Sequence, residues 1–217
     1  MKKTRRRLLK GLATSPVRIR PGAGAAVAAG LALPMPAVSL ATTPAATPAC
    51  GAGPAPTPRQ TEGPYFSRAS PLRQSLLDPG MAGTRLVLDG RVHGLDCKPL
   101  SGALLDFWQA DESGEYDNRG YRLRGHQFTD VQGRYRLETL LPGLYPGRTR
   151  HIHVKVQAPG GPVLTTQLYF PGEAQNRTDG IFSPLLLVAF AVPSSAQAGA
   201  QPTAPLQAGF DFLIRAA

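Results

Sequence analysis

The sequence predicts an all-β protein: an antiparallel β-sandwich with an extended N-terminal arm and a cleaved or disordered signal segment. Three observations predict it. From Thr84 onward the chain is a series of short runs in which apolar and polar residues alternate, the period of a half-buried strand. Gly, Pro and Asp clusters separate these runs at close spacing, as the turns of a sandwich require. No segment carries the 3.6-residue period of an amphipathic helix, and no internal repeat is visible. The 217 residues suffice for one domain of ordinary size plus an appendage.

In chain order, residues 1–41 read as a targeting segment. Thr4-Arg5-Arg6-Arg7-Leu8-Leu9-Lys10 resembles the twin-arginine export motif of bacteria. The Ala/Gly-rich apolar stretch 23–33 is too short to span a bilayer, and small residues at 37–41 suit a signal peptidase. Export to the bacterial periplasm, with no stable membrane anchor afterwards, is therefore expected. Residues 42–60 are rich in Ala, Pro and Thr and read as a linker. Domain 61–217 follows, opening on Thr61-Glu62-Gly63-Pro64-Tyr65-Phe66, an aromatic arm suited to pack on its own domain or on a second copy in a homo-oligomer.

Strands are expected at 85–92, where Leu86 and Leu88 share a face, and in the apolar run 102–110 around Trp108. A turn through Pro99 separates them, and Glu112-Ser113-Gly114 ends the second. Asp130 to Gly133 forms another turn. Residues 134–140 alternate again, Tyr135 and Leu137 against Arg134, Arg136 and Glu138. Strand 150–156 puts Ile152, Val154 and Val156 on one face and His151, His153 and Lys155 on the other. A Pro159-Gly160-Gly161-Pro162 turn leads to 163–170, and the last strands are expected at 185–192 and 210–214.

The charge is misleading at first sight. A formal +10 suggests a nucleic-acid partner, but residues 1–41 hold eight basic residues and no acidic one. The remainder has sixteen basic against fourteen acidic residues, so no nucleic-acid partner is expected. Cys50 and Cys97 permit one disulfide in an exported protein, with two unpaired thiols as the alternative.

The chemistry gathers around His151 and His153. Imidazoles two residues apart on one strand face can converge on one metal ion, although a bare His-x-His is more often a structural pair. Tyr145, in the Pro142-to-Gly147 loop, can return a phenol over that face, and Tyr116 follows the turn after the Trp108 run. Each tyrosine alone reads as an ordinary aromatic. Together, two phenols and two imidazoles have a chemical preference. Phenolate is a hard anionic donor that favours a hard trivalent ion, and such an ion lowers the pKa of a phenol it binds. The set suits Fe(3+). An iron(II) facial triad needs a carboxylate, and the nearest acid downstream of His153 is Glu173.

These motifs, from about Thr61 to Glu173, resemble the intradiol ring-cleavage dioxygenases, the family of catechol 1,2-dioxygenase and protocatechuate 3,4-dioxygenase. Trp108 with Gly114-Glu115-Tyr116, the Pro-Gly-x-Tyr loop of Tyr145, His151-Ile152-His153, Arg148 and the Gln167-Leu168-Tyr169-Phe170 run carry the resemblance. Gln60 to Tyr65 is similar to the start of protocatechuate-type subunits. The resemblance implies Tyr116, Tyr145, His151 and His153 as ligands of Fe(3+). Tyr145 would leave the metal as the substrate binds, Arg148 would stabilise developing anionic charge, and Gln167 would hydrogen-bond nearby. It implies a small aromatic diol and O2 as partners and cleavage between the two hydroxyl-bearing carbons to a muconate-type diacid.

Two positions depart from the family pattern. Gly147 stands where protocatechuate-type members place a bulky aromatic, which predicts a more open pocket wall, and Arg150 replaces a small residue. Arg122 and Arg124 read as a site for a substrate carboxylate or, more commonly, as a solvated charged face. His93 and His126 have no partner at ligand spacing. The alternatives are a non-catalytic transthyretin-like binding module and a zinc hydrolase using His151 and His153, which would need a further ligand.

Overall fold

The computed structural model describes residues 55–191 and 204–216. The signal segment, most of the expected linker and Cys50 lie outside the described residues. Among the described residues nine strands form two sheets: β1 (Arg85–Gly94), β2 (Leu104–Trp108), β3 (Arg124–Phe128), β4 (Arg134–Leu140), β5 (His151–Gln157), β6 (Leu164–Tyr169), β7 (Ala189–Phe190), β8 (Leu206–Gly209) and β9 (Phe212–Ile214). One sheet has the order β4-β1-β8-β7, with β9 also on β1; the other has the order β3-β2-β5-β6. The expected β-sandwich is present.

The core lies between the sheets because alternation aims one face of each strand inward. Leu86, Leu88, Val92 and Leu137 meet Leu105, Phe107, Ile152, Val154 and Val156, all fully buried or nearly so. Each such side chain contributes about 2 kcal/mol relative to exposure. Phe107 reaches across to Tyr135, with ring centroids 5.9 Å apart.

Several expectations are corrected. The sandwich is not wholly antiparallel, because β1 pairs parallel with both β8 and β9. Gly90 makes that split: a Cβ there would lie 1.8 Å from the Phe210 carbonyl oxygen, where the chain crosses from β8 to β9. Strand β3 was not expected, since Arg-Gly-His-Gln-Phe carries no apolar alternation. The run expected at 185–192 opens on a 3-10 turn, Pro184–Leu186, and among its described residues only Ala189–Phe190 is strand. Strand β9 starts at Phe212 because Phe210 and Asp211 form the crossing.

The N-terminal arm runs along its own domain. Thr57 N–H donates to Leu213 O at 2.9 Å, and Gln60 N–H to Thr165 O at 2.8 Å along the β6 edge. Residues 55–60, assigned by composition to a linker, are thus docked on β9 and β6. The arm then crosses the outer face of the β3-β2-β5-β6 sheet. On the far side His126 N–H donates to Pro71 O and Arg73 N–H to His126 O, covering β3. Glu138 N–H donates to Gln74 O, covering β4. Sheet edges with unpaired amides invite non-native pairing, and the arm closes three of them.

Cys97 is disulfide-bonded. No helix among the described residues is long and apolar enough to cross a membrane.

Candidate metal centre

His151 and His153 occupy the outer face of β5, the face expected to be polar. They are 4% and 3% exposed nonetheless, because the arm and Trp108 cover them. Trp108, opposite His153 in the β2–β5 register, stacks on its ring at 4.8 Å and 7°. Phe66 packs on Trp108 at 4.9 Å, and the Lys155 ammonium sits 3.9 Å above the Phe66 ring while pairing with Glu62.

The two imidazoles point at one spot. Their Nε2 atoms are 3.2 Å apart, and the Tyr116 hydroxyl is 3.2 Å from His151 Nε2. His151 Nδ1 donates to the Thr149 carbonyl at 2.6 Å, which leaves Nε2 as the lone-pair side. Burial pushes His151 down to about 4 and His153 well below the ordinary imidazole range, so both rings are neutral donors near neutral pH. His153 Nδ1 is buried without a hydrogen-bond partner.

Tyr145 joins from the loop before β5. Its ring meets Tyr116 edge-on at 5.9 Å and 77°, but its hydroxyl is bonded to the Tyr65 hydroxyl at 2.8 Å. The structure therefore brings Tyr116, His151 and His153 together by their donor atoms and sets Tyr145 beside them through its ring. Burial pushes the Tyr116 phenol above its ordinary range. The two tyrosine loops interlock at Gly114 (φ 89°), where a Cβ would stand 2.2 Å from the Leu144 carbonyl oxygen. Gly143 N–H donates to Asp111 O at 2.6 Å across the same contact.

Arg148 lies alongside. Its Nε donates to Asp179 at 2.8 Å and its NH2 group to Gln167 Oε1 at 2.7 Å. Gln167 is fully buried and donates to Thr61 O at 2.9 Å, which ties it to the arm. Tyr169 completes this cluster, its phenol pushed up to about 12 mainly by burial. Arg150 binds Glu173 at 2.8 Å and the Pro142 carbonyl, bracing the start of the Tyr145 loop.

Neither reading of Arg122 and Arg124 as a pair holds. Arg122 is half-exposed and paired with the Asp111 carboxylate. Arg124 is 1% exposed and donates to Asp117 O at 2.6 and 3.0 Å and to Tyr65 O at 2.5 Å. It clamps the Tyr116 loop to the arm. Asp117 itself is held at about 2 by the amides of Arg119, Arg122 and Gly120. His126 Nδ1 bonds the Ser70 carbonyl at 2.7 Å, a structural role.

Two clefts flank the tyrosines. One of about 340 Å³ is lined by Asp111, Glu115, Tyr116, Asp117 and Arg122. The other, of about 390 Å³, is lined by Tyr145, Gly147, Arg148 and neighbouring loop residues, with Gly147 exposed. A larger cleft of about 570 Å³ follows β1 and β4. Its arginines are largely paired with its own aspartates, so we place the chemistry at the tyrosines.

Sequence reasoning missed three contributors: Tyr65, Thr149 and Asp179. The arm motif from Gln60 to Tyr65 was the available signal for the first. Thr149 and Asp179 had none, because their roles arise from a loop folding back thirty residues later.

The donor set fits a hard trivalent cation. Two neutral buried imidazole nitrogens and a buried phenol converge, a second phenol stands adjacent, and among the described residues no group of three or more His, Cys, Asp or Glu competes. The fold and site define a β-sandwich that gathers two phenols and two imidazoles over one sheet. A family model described as Dioxygenase matches residues 61–216. Catechol 1,2-dioxygenase 2 of Acinetobacter lwoffii is 34% identical over 153 residues, 58% of this chain and 56% of that protein. The protocatechuate 3,4-dioxygenase beta chain of Burkholderia cepacia is 35% identical over 118 residues, 46% of this chain and 50% of that one. The dioxygenase domain of a dioxygenase–carbohydrate-binding fusion from Streptomyces sp. SirexAA-E superposes with a TM-score of 0.69 at 54% identity, covering 75% of this chain and all of that domain. The chain thus spans about half the length of the curated relatives it matches. It belongs to the intradiol ring-cleavage dioxygenase family.

Proposed function

We propose that the protein is a ferric dioxygenase that opens the ring of a catechol-type diol between its hydroxyl-bearing carbons, using both atoms of O2. The observation that carries this reading is the meeting of His151 Nε2, His153 Nε2 and the Tyr116 hydroxyl, with Tyr145 beside them. Tyr116, Tyr145, His151 and His153 would hold Fe(3+). When bound, that ion would draw electron density from a chelated diol and make the ring reactive toward O2.

The chain's own residues divide the remaining work. Tyr145, which would be a phenolate while holding the ion, could take a substrate proton on release, and its hydroxyl is then placed against the Tyr65 hydroxyl. Arg148 supplies a fixed positive charge facing Tyr116 and both histidines, suited to anionic charge developing on the ring. Gln167 holds Arg148 and the arm in register. Trp108 and Phe66 keep water from the histidine side. A zinc hydrolase is disfavoured, since no third nitrogen, sulfur or carboxylate ligand joins the histidines among the described residues.

Oxygen uptake against a panel of catechols tests the reading, with mass analysis of products formed under 18O2. We expect one O2 per ring and a diacid carrying two labelled atoms. A metal-replete, folded protein that consumes no O2 with any ortho-diphenol would refute it. We further propose export by the twin-arginine route, supported by Arg5, Arg6 and Arg7. Replacing all three with Lys should keep the protein in the cytoplasm; unchanged export would refute that route.

A further inference from the structure

Asp179 belongs to no ligand set and follows a 3-10 turn after β6, yet its side chain is only 2% exposed. One oxygen, Oδ2, accepts from Arg148 Nε at 2.8 Å and from the Thr149 backbone amide at 2.9 Å. The other, Oδ1, accepts from the Ile181 amide at 3.1 Å, which fixes the carboxylate plane. The consequences run in two directions. Arg148, held at Nε, turns its NH2 group to Gln167. Thr149, held at N–H, presents its carbonyl to His151 Nδ1 at 2.6 Å. A second brace stands behind Thr149: its hydroxyl donates to Asn176 Oδ1 at 2.6 Å, and Asn176 donates to Phe170 O at 2.8 Å.

We propose that Asp179 is a positioning residue which, through one carboxylate, sets the guanidinium of Arg148 and, by way of the Thr149 backbone, the ring of His151. The inference rests on the ferric reading above. Its physical basis is twofold. A partly buried guanidinium is kept aimed at the site by an anionic partner that accepts its hydrogen bond. An imidazole that offers Nε2 to a metal depends on what fixes its Nδ1–H, and that acceptor is the carbonyl of Thr149, the residue whose own amide Asp179 holds. A neutral residue at 179 leaves both groups free to turn.

Asp179→Asn, which keeps the shape and one acceptor oxygen but loses the charge and replaces the other oxygen with a donor, is the test, with Asp179→Ser read in parallel as a smaller acceptor. Wild type and variants are compared in thermal midpoint, visible charge-transfer maximum of the ferric protein, rate of iron loss to a competing chelator, kcat and KM for catechol. The expected result is a folded variant whose charge-transfer maximum shifts and whose iron leaves faster. Its kcat should fall roughly tenfold to a hundredfold with KM changed far less, the range typical of groups that orient metal ligands. A purely structural role would lower the midpoint and leave the spectrum, iron release and kcat at wild-type values; that result overturns the proposal. Failure of both variants to fold overturns it too, since Asp179 would then serve folding. If wild type itself binds no ferric iron and consumes no O2, the ferric reading has failed; if it does both and the variants match it, only Asp179 has been misjudged.

Discussion

His151 and His153 are the residues on which burial acts hardest. Both are neutral because the arm and Trp108 remove them from water, and His151 is pushed down to about 4. The unfolded chain binds their protons near the ordinary imidazole value of about 6.5. Between that value and 4 the unfolded state therefore holds more protons than the native one, and stability rises with pH. For the metal-free protein we expect unfolding free energy to fall by about 3 kcal/mol on account of His151 as pH drops from 7 to 4, with His153 acting in the same direction. Urea titrations at several pH values check this; equal stability at pH 7 and pH 4.5 would show that the rings are not held neutral. These histidines, like Tyr116 and Tyr145, were legible in the sequence because two-residue spacing on a strand and Gly/Pro loops are local signals. Arg124 was not. Its surroundings in sequence are charged and it reads as surface, yet three carbonyl contacts, one to Tyr65 fifty-nine residues away, pay for its burial.

Among the elements, β4 and β5 followed from alternation almost residue for residue, since each has one face in the core. Strand β3 escaped notice because its register with β2 and the arm, rather than its own pattern, makes it a strand. The arm is the element whose role the sequence understated. It crosses the histidine face between edges β6 and β3, bringing Tyr65 to Tyr145, stacked on Tyr116 at 4.5 Å, and Phe66 to Trp108. Strand β1 shows how one residue directs an element. Gly90 lets the Phe210 carbonyl approach, so that β8 and β9 both pair with β1. Gly90→Ala forces a backbone shift and should cost about 3 kcal/mol, lowering the thermal midpoint by roughly 6–12 °C. A midpoint within 2 °C of wild type, to the resolution of about 0.5 kcal/mol that such a shift implies, would show that the crossing relaxes freely.

For the molecule as a whole, one sheet supplies stability and the other supplies chemistry. The β3-β2-β5-β6 sheet buries its inner face against β1 and β4 and lays its donors on the outer face, where loops after β2, β4 and β6 converge. Fold class and donor types were readable from composition, period and motif; the Asp179 brace, which spans thirty residues, and the strap-like arm, whose contacts span more than a hundred, were not. The central claim is that Tyr116, Tyr145, His151 and His153 hold one ferric ion. Titrating Fe(3+) into the metal-free protein under visible absorbance tests it most directly. The account predicts a stoichiometric end point at one iron per chain with a tyrosinate-to-iron band, shifted in both Tyr116→Phe and Tyr145→Phe. A folded protein that reaches no such end point, or binds iron without that band, would contradict it.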